Sequence, residues 1–337
     1  MEYNRLNSIN INDNVGQRVF VIGMIADVEI KKQKDGVTRY LQMNLCDKNN
    51  KVKVSKFGAT DNDIELLVSG RVIAAGVDLK EYKGQTNGVI YNYEMYNADT
   101  SDFLDWAEGR DWAANVINES INMLNGSIYY NLVYGIITDH WESFKKWSAA
   151  SSFHHNKLGG LLVHTAEVVD GSIEIAKTWQ KRYGDKFVNM PLLISASILH
   201  DIGKLYELSI DEGTGVTDYT TNSALEPHIT KGVDIVVRKA IQLGIGENVA
   251  GKTEEQVTIE REAIDVLKHC ILAHHGKKEW GSPIEPNCPE AYILNKADEI
   301  SAAMFRFNAD FKKMKSGTSL ATWTSTGMLV TYKDLTK

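Results

Sequence analysis

The run LLISASILHDIGKLYEL, residues 192–208, decides the reading of the fold. Its opening stretch, residues 192–199, is apolar or small and reads as a buried helix. That helix runs directly into His200-Asp201, and Gly203 is placed to end it. An imidazole and a carboxylate side by side in apolar surroundings need a partner, because a buried carboxylate without one is costly. A hydrogen bond within the pair is one solution, and a cation is the other.

Working outward favours the cation. None of the nine histidines occurs before His140. On a helix, His164 shares its face with Leu161, Val168, Gly171 and Ile175, and so points inward. Asp298 shares its face with Ala291, Leu294, Ser301 and Phe305, and points inward too. An unpaired buried Asp is expensive. One divalent ion held by His164, His200, Asp201 and Asp298 resolves all these placements together. His228 (next to Pro227, at a helix start), His274 and His275 (at a helix end broken by Gly276) suggest a second ion, with Asp201 bridging. The alternative is one ion and three histidines left for substrate. Imidazoles with carboxylates suit Mn, Fe, Co, Ni or Zn better than Mg or Ca. Manganese is the first choice, and Mg stays among the alternatives.

Before these helices the texture is different. Residues 15–97 read as strands: TRYLQMNLCD sets Tyr40, Gln42 and Asn44 against Leu41, Met43 and Leu45, and KVKVSKF alternates strictly. Short strands with a turn every dozen residues suggest a small closed barrel. From residue 101 to about 315 helical spacing takes over, and the tail is β-prone. The expected organisation is a barrel over 1–98, a helical module over 99–317 and a tail over 318–337.

The bulk numbers are those of a globular protein: 337 residues, 43% hydrophobic, 24% charged, net charge -7. The acidic balance does not exclude a nucleic-acid substrate, since bound cations and local lysines offset it. Cys46, Cys270 and Cys288 lie far apart and suggest no disulfide scaffold or zinc knuckle. No apolar run is long enough for a membrane span, and the polar N-terminus lacks a signal-peptide core, so the expected location is the cytoplasm without membrane association. No Ser-His-Asp or Cys-His arrangement is evident.

The H…HD…D order resembles the HD-domain phosphohydrolase superfamily. More closely, FHHNKLGGLLVHTAEVV, SILHDIGKLYEL, HITKG, ILAHHGKKEWGSPIEP and EAYILNKADEISA resemble the YhaM-type 3′-5′ exoribonucleases. The resemblance covers roughly residues 15–310 and is specific in the helical half. Two positions depart from the family pattern: Pro227 stands where Gly is usual, and Glu299 is the candidate for a second acid near Asp298. The resemblance implies a multi-domain fold of α and β, an N-terminal OB-fold β-barrel followed by an all-α HD-domain helical bundle. It implies metal-dependent 3′-5′ hydrolysis of single-stranded RNA, with single-stranded DNA as an alternative, to nucleoside 5′-monophosphates by a two-metal-activated water. It also suggests a homo-oligomer.

In this reading Asp201 and Lys204 are catalytic, Lys204 binding a phosphate oxygen rather than capping its helix. His154, His155 and Asn156 are candidates for substrate phosphate or ribose. Trp280 and Glu279 are candidates for lining the pocket. On the barrel, Tyr40, Phe57 and Tyr82 would stack on bases, with Lys51, Lys53 and Lys56 supplying charge. Two other functions remain open: an HD phosphodiesterase on free or cyclic nucleotides with a regulatory barrel, and a non-enzymatic nucleic-acid scaffold, against which the intact His200-Asp201 pair and Asp298 argue.

Overall fold

The computed structural model describes residues 3–48, 50–150, 157–211, 215, 217–312, 321–322 and 329–330. The chain forms two compact units: Met1–Trp106 with Ile210–Val216, and Ala107–Ser209 with Thr217–Lys337. The first unit therefore runs past the 98–99 boundary expected from the sequence.

The first unit opens with a two-residue strand, β1 (Asn4–Arg5), lying parallel to β2 (Arg18–Lys32). Then come β3 (Arg39–Asp47), β4 (Asn50–Phe57), a short helix α1 (Asp61–Leu66), β5 (Val72–Tyr82) and β6 (Gln85–Met95). The long β2 pairs with β5 along its first half and with β3 along its second. A bulge between Ala26 and Glu29 bends it between the two partners, with Asp27 at φ 53. Parallel pairing of β4 with β6 closes the circle β2-β3-β4-β6-β5. This is a five-stranded closed barrel with the strand order of an OB fold.

The alternation expected in β3 is present: Leu41, Met43 and Leu45 are buried with Val21, Ile25, Val54, Ile73 and Val77, while Tyr40, Gln42 and Asn44 face outward. Gly88 is needed where β6 passes its neighbours, since a Cβ there would lie 2.4 Å from Val77 Cγ1. The helix α1 interrupts a region read entirely as strands. Its cause is local: Thr60 and Asp63 form a reciprocal capping box, and Tyr93 donates its hydroxyl to Asp63 at 2.6 Å.

The second unit contains α2 (Arg110–Met123), α3 (Tyr130–Phe144), α4 (Gly160–Tyr183), α5 (Met190–Leu199), α6 (Lys204–Glu207), α7 (His228–Gln242), α8 (Glu254–Ala273) and α9 (Pro289–Lys312). Between α6 and α7 lie the short strands β7 (Leu208–Ile210) and β8 (Thr217–Tyr219). In the tail, β9 (Ala321–Thr322) pairs antiparallel with β10 (Leu329–Val330). α5 is buried from Leu192 to Leu199 because α2, α4, α8 and α9 all pack against it. It therefore carries no polar stripe, unlike a surface helix. No helix among the described residues is long and apolar enough to cross a membrane.

Candidate metal centre

Four helices aim chemistry at one point. His164 sits in the second turn of α4, His200 caps the end of α5, His274 caps α8, and Asp298 lies in the middle of α9. His228 is the first residue of α7, after Pro227. The nitrogen and oxygen atoms of His164, His200 and Asp298 gather within 4.8 Å of one another, and those of His228, His274 and His275 do the same.

Asp201 lies between the two groups. Its Oδ2 is 3.4 Å from His164 Nε2 and 3.3 Å from His200 Nε2. Its Oδ1 is 3.5 Å from His228 Nε2 and 3.7 Å from His274 Nε2. Asp298 Oδ1 approaches His164 Nε2 at 3.1 Å. The inward directions read from helix periodicity for His164 and Asp298 hold, and His228, His274 and His275 join them.

The outward side of every ring fixes its tautomer. His200 donates Nδ1–H to the Ser197 carbonyl at 2.9 Å, His274 to the Ile271 carbonyl at 2.6 Å, and His275 to the Trp280 carbonyl at 3.0 Å. His228 donates to the Glu207 carboxylate at 2.8 Å, and His164 to the Ser301 hydroxyl at 2.9 Å. A carbonyl or carboxylate can only accept, so in these rings the second nitrogen is left to face the cluster. Asp201 Oδ1, His228 Nε2 and His274 Nε2 are buried with no hydrogen-bond partner among the described residues. Buried polar atoms are rarely left this way. A divalent cation suits them: several imidazole Nε2 lone pairs and two carboxylates, with the opposite nitrogens held by outer hydrogen bonds, form the donor set of a transition-metal site.

The electrostatics agree. Burial opposes a charge on Asp201, but Lys204, then His200 and His164, hold its carboxyl well below the usual range. Burial likewise opposes Asp298, and His164 keeps it low. Burial pushes His274 well down, helped by His275 and His200, and pushes His275 down, helped by His228, so both rings are neutral at pH 7. His164 behaves differently. Burial resists its protonation, yet its bonds to Asp201 and Asp298 lift its pKa to about 9. In the absence of a cation, a proton on His164 answers the two carboxylates.

A cavity of about 800 Å³ opens over this floor, lined by Asp201, Lys204, His228, His275 and Asp298 and walled by Tyr219, Trp280, Glu299 and Arg306. Lys204 is not a surface helix cap: its Nζ lies 2.7 Å from Asp201 Oδ2, and its side chain is only 11% exposed. Trp280 lines the cavity as expected, whereas Glu279 pairs with Lys277 at 3.8 Å. His154, His155 and Asn156 lie outside the described residues.

Gly203 does something other than end a helix. Its φ is -65, an ordinary right-handed value. A Cβ there would sit 2.0 Å from the His228 carbonyl oxygen and 2.8 Å from Gly232 N. The glycine lets the turn after His200-Asp201 lie directly on the start of α7. Sequence reasoning also missed Glu207, Ser301, Glu167, Asn295 and Arg306. Asn295 donates to the His274 carbonyl at 2.8 Å, and Glu207 grips both the main chain and ring of His228. Helical spacing was the available signal for three of these, since Glu167 follows His164, Ser301 follows Asp298 and Glu207 follows Lys204 by one turn.

On the barrel, Tyr40 and Phe57 stack with centroids 5.3 Å apart across the β3–β4 pair. Tyr82, at the far end of β5, is 65% exposed. Lys51 and Lys53 share the outward face of β4 with Phe57, and Lys51 pairs with Asp27 at 2.9 Å. Lys56 has the opposite parity, that of the buried Val52 and Val54, so the three lysines do not form one stripe.

The HD domain family matches residues 161–303, a span that includes every residue of both groups. A protein of Oceanobacillus iheyensis named 3′-5′ exoribonuclease YhaM is 29% identical over 86% of this chain and 86% of its own. Proteins of the same name from a Geobacillus species and from Bacillus subtilis are 28% and 27% identical, over 91% and 82% of this chain and 89% and 83% of theirs. A solved OB domain from Thermoplasma acidophilum is 15% identical, covering 29% of this chain and 91% of that one with a TM-score of 0.23. At that score the barrel rests on its own strand order. The chain thus carries an HD domain at residues 161–303 and is, over most of its length, a homologue of proteins named 3′-5′ exoribonuclease YhaM.

Proposed function

We propose that this protein is a metal-dependent 3′-5′ exonuclease that hydrolyses single-stranded RNA to nucleoside 5′-monophosphates, using two ions shared through Asp201. The observation that carries the two-ion reading is the pair of oxygens of Asp201, one turned to each histidine group. The exoribonuclease name of the homologues supports the choice of substrate. His164, His200, Asp201 and Asp298 would hold one ion, and His228, His274, His275 and Asp201 the other. When bound, such ions activate water and neutralise phosphate oxygens.

The chain's own groups do the rest. Lys204, fixed on the cavity floor by Asp201, donates to a phosphate oxygen of the substrate, and Arg306 adds a second cation at the wall. Trp280, half exposed in the same wall, offers its indole to a base. The outward face of the barrel, with Tyr40, Phe57 and Lys53, takes hold of a single strand by stacking and charge. Manganese as the working ion, a cytoplasmic location and self-association complete the proposal.

A cavity of about 800 Å³ is also the size of a small-ligand pocket, which favours a second reading, hydrolysis of free or cyclic nucleotides. Incubating Mn2+-loaded protein with 5′-labelled and 3′-labelled oligoribonucleotides, and in parallel with free and cyclic nucleotides, decides between them. Stepwise mononucleotide release from the 3′ end is expected. Turnover confined to free or cyclic nucleotides rejects the exonuclease.

A further inference from the structure

We infer that Glu167 and Ser301 form a charge relay that tunes His164, making the His164–His200–Asp298 group the more strongly donating of the two. This rests on the metal reading above and goes beyond it by assigning roles to two residues outside both histidine groups.

The geometry is a chain of two directed hydrogen bonds. Ser301 donates its hydroxyl hydrogen to Glu167 Oε2 at 2.6 Å. With that hydrogen committed, Ser301 Oγ accepts Nδ1–H of His164 at 2.9 Å. Each participant is one helical turn from a residue of the group: Glu167 follows His164 on α4, and Ser301 follows Asp298 on α9. The same turn of α9 thus grips both nitrogens of one ring, Ser301 at Nδ1 and Asp298 Oδ1 at Nε2. His164 is fully buried and Ser301 is 4% exposed, while Glu167 is half-buried, so screening by water is weak at the ring and the hydroxyl rather than along the whole relay.

The contrast with His200 in the same group is chemical. His200 is backed by a neutral main-chain carbonyl, whereas His164 is backed through one hydroxyl by a carboxylate. Hydrogen bonds in series polarise one another, so negative charge on Glu167 raises the donor strength of His164 Nε2. In the other group only His228 has a carboxylate behind it, directly, while His274 and His275 rest on carbonyls. The His164 group adds the carboxylate of Asp298 to its relay, and the His228 group adds a third imidazole. The two groups therefore differ in charge, and the relay belongs to the more anionic one. Glu167 and Ser301 are positioning residues. Outer partners of this kind change metal affinity by roughly 10–100-fold.

The test uses the full-length protein stripped of metal and titrated with Co2+ alone, following its visible absorption in competition with a chelator. Glu167→Gln keeps an acceptor for the serine hydroxyl but removes the charge, Ser301→Ala breaks the chain, and Ser301→Thr restores the hydroxyl. The expected result is that E167Q and S301A each weaken one of two Co2+ affinities by about tenfold or more and shift its spectrum, with the other affinity unchanged and S301T close to wild type. If both variants bind Co2+ as wild type does and differ only in the melting of the metal-free protein, the pair merely ties α4 to α9 and the inference is overturned. Should S301A fail to fold, E167Q decides alone. Wild-type protein that takes up no Co2+ overturns the metal reading itself, and this inference with it.

Discussion

Asp201 Oδ1 lies 3.5 Å from His228 Nε2, and both atoms are buried with no hydrogen-bond partner among the described residues. Glu207 already holds the only other nitrogen of that ring. Two facing lone pairs repel unless a proton or a metal cation joins them. Asp201→Asn keeps the shape and removes the charge that two ions would share. Purified D201N is expected to lose at least one bound Mn2+ per chain by elemental analysis, and mononucleotide release is expected to fall by more than about 100-fold, beyond the loss typical of outer partners. Full metal content with full activity contradicts the bridging role.

Gly203 shows how little room the site leaves. Any side chain there meets the His228 carbonyl at 2.0 Å, and backbone cannot swing aside as a flexible side chain can. Gly203→Ala is expected to cost on the order of 1–3 kcal/mol in urea denaturation and to loosen the His228 group. Metal binding should weaken more than stability alone explains. An alanine variant with wild-type stability and affinity would mean that the start of α7 moves freely.

The pH dependence of the metal-free protein has two opposed arms. His164 has its pKa raised from 6.5 to about 9, so its contribution is fully present below pH 6.5 and is lost as pH rises towards 9. His274 and His275 have theirs lowered by burial, so their contribution is present above pH 6.5 and is lost as pH falls below it. Stability of the metal-free protein is therefore expected to peak near pH 6.5 and to decline on both sides, by up to about 1.4 kcal/mol per pH unit for each group titrating alone. Urea midpoints measured in a chelator across this range test it, and a monotonic profile rejects it. Adding Mn2+ should flatten the alkaline arm, since the ion replaces the proton on His164.

Lys204 and Trp280 line the same cavity with different chemistry. Lys204→Ala is expected to lower kcat by about 100-fold or more, as loss of a donor to developing charge does. Trp280→Ala is expected to act mainly on KM, by the roughly 1–3 kcal/mol that stacking on one base contributes. Steady-state kinetics on a short oligoribonucleotide separate the two. Equal effects on kcat from both would remove the division between phosphate and base.

Local patterns along the chain fix the barrel-then-helices plan and the inward direction of His164 and Asp298. Alternation in TRYLQMNLCD sets the barrel face, the spacing around His164 and Asp298 sets the helix faces, and His200-Asp201 must sit where an apolar helix ends. These are local properties, fixed by periods of two and 3.6 residues. The helix α1 escaped the sequence reading although Thr60 and Asp63 carry its cap, because its six residues are easily overrun by strand-like flanks. Packing between helices sets which nitrogen of each histidine faces inward, makes Gly203 a point of close approach, and lets Glu167 reach His164 through Ser301. Ser301 and His164 are 137 positions apart, on helices whose rotation about one another no local pattern records. Ring orientation follows from whichever acceptor the opposite helix or turn presents, and that is a property of packing.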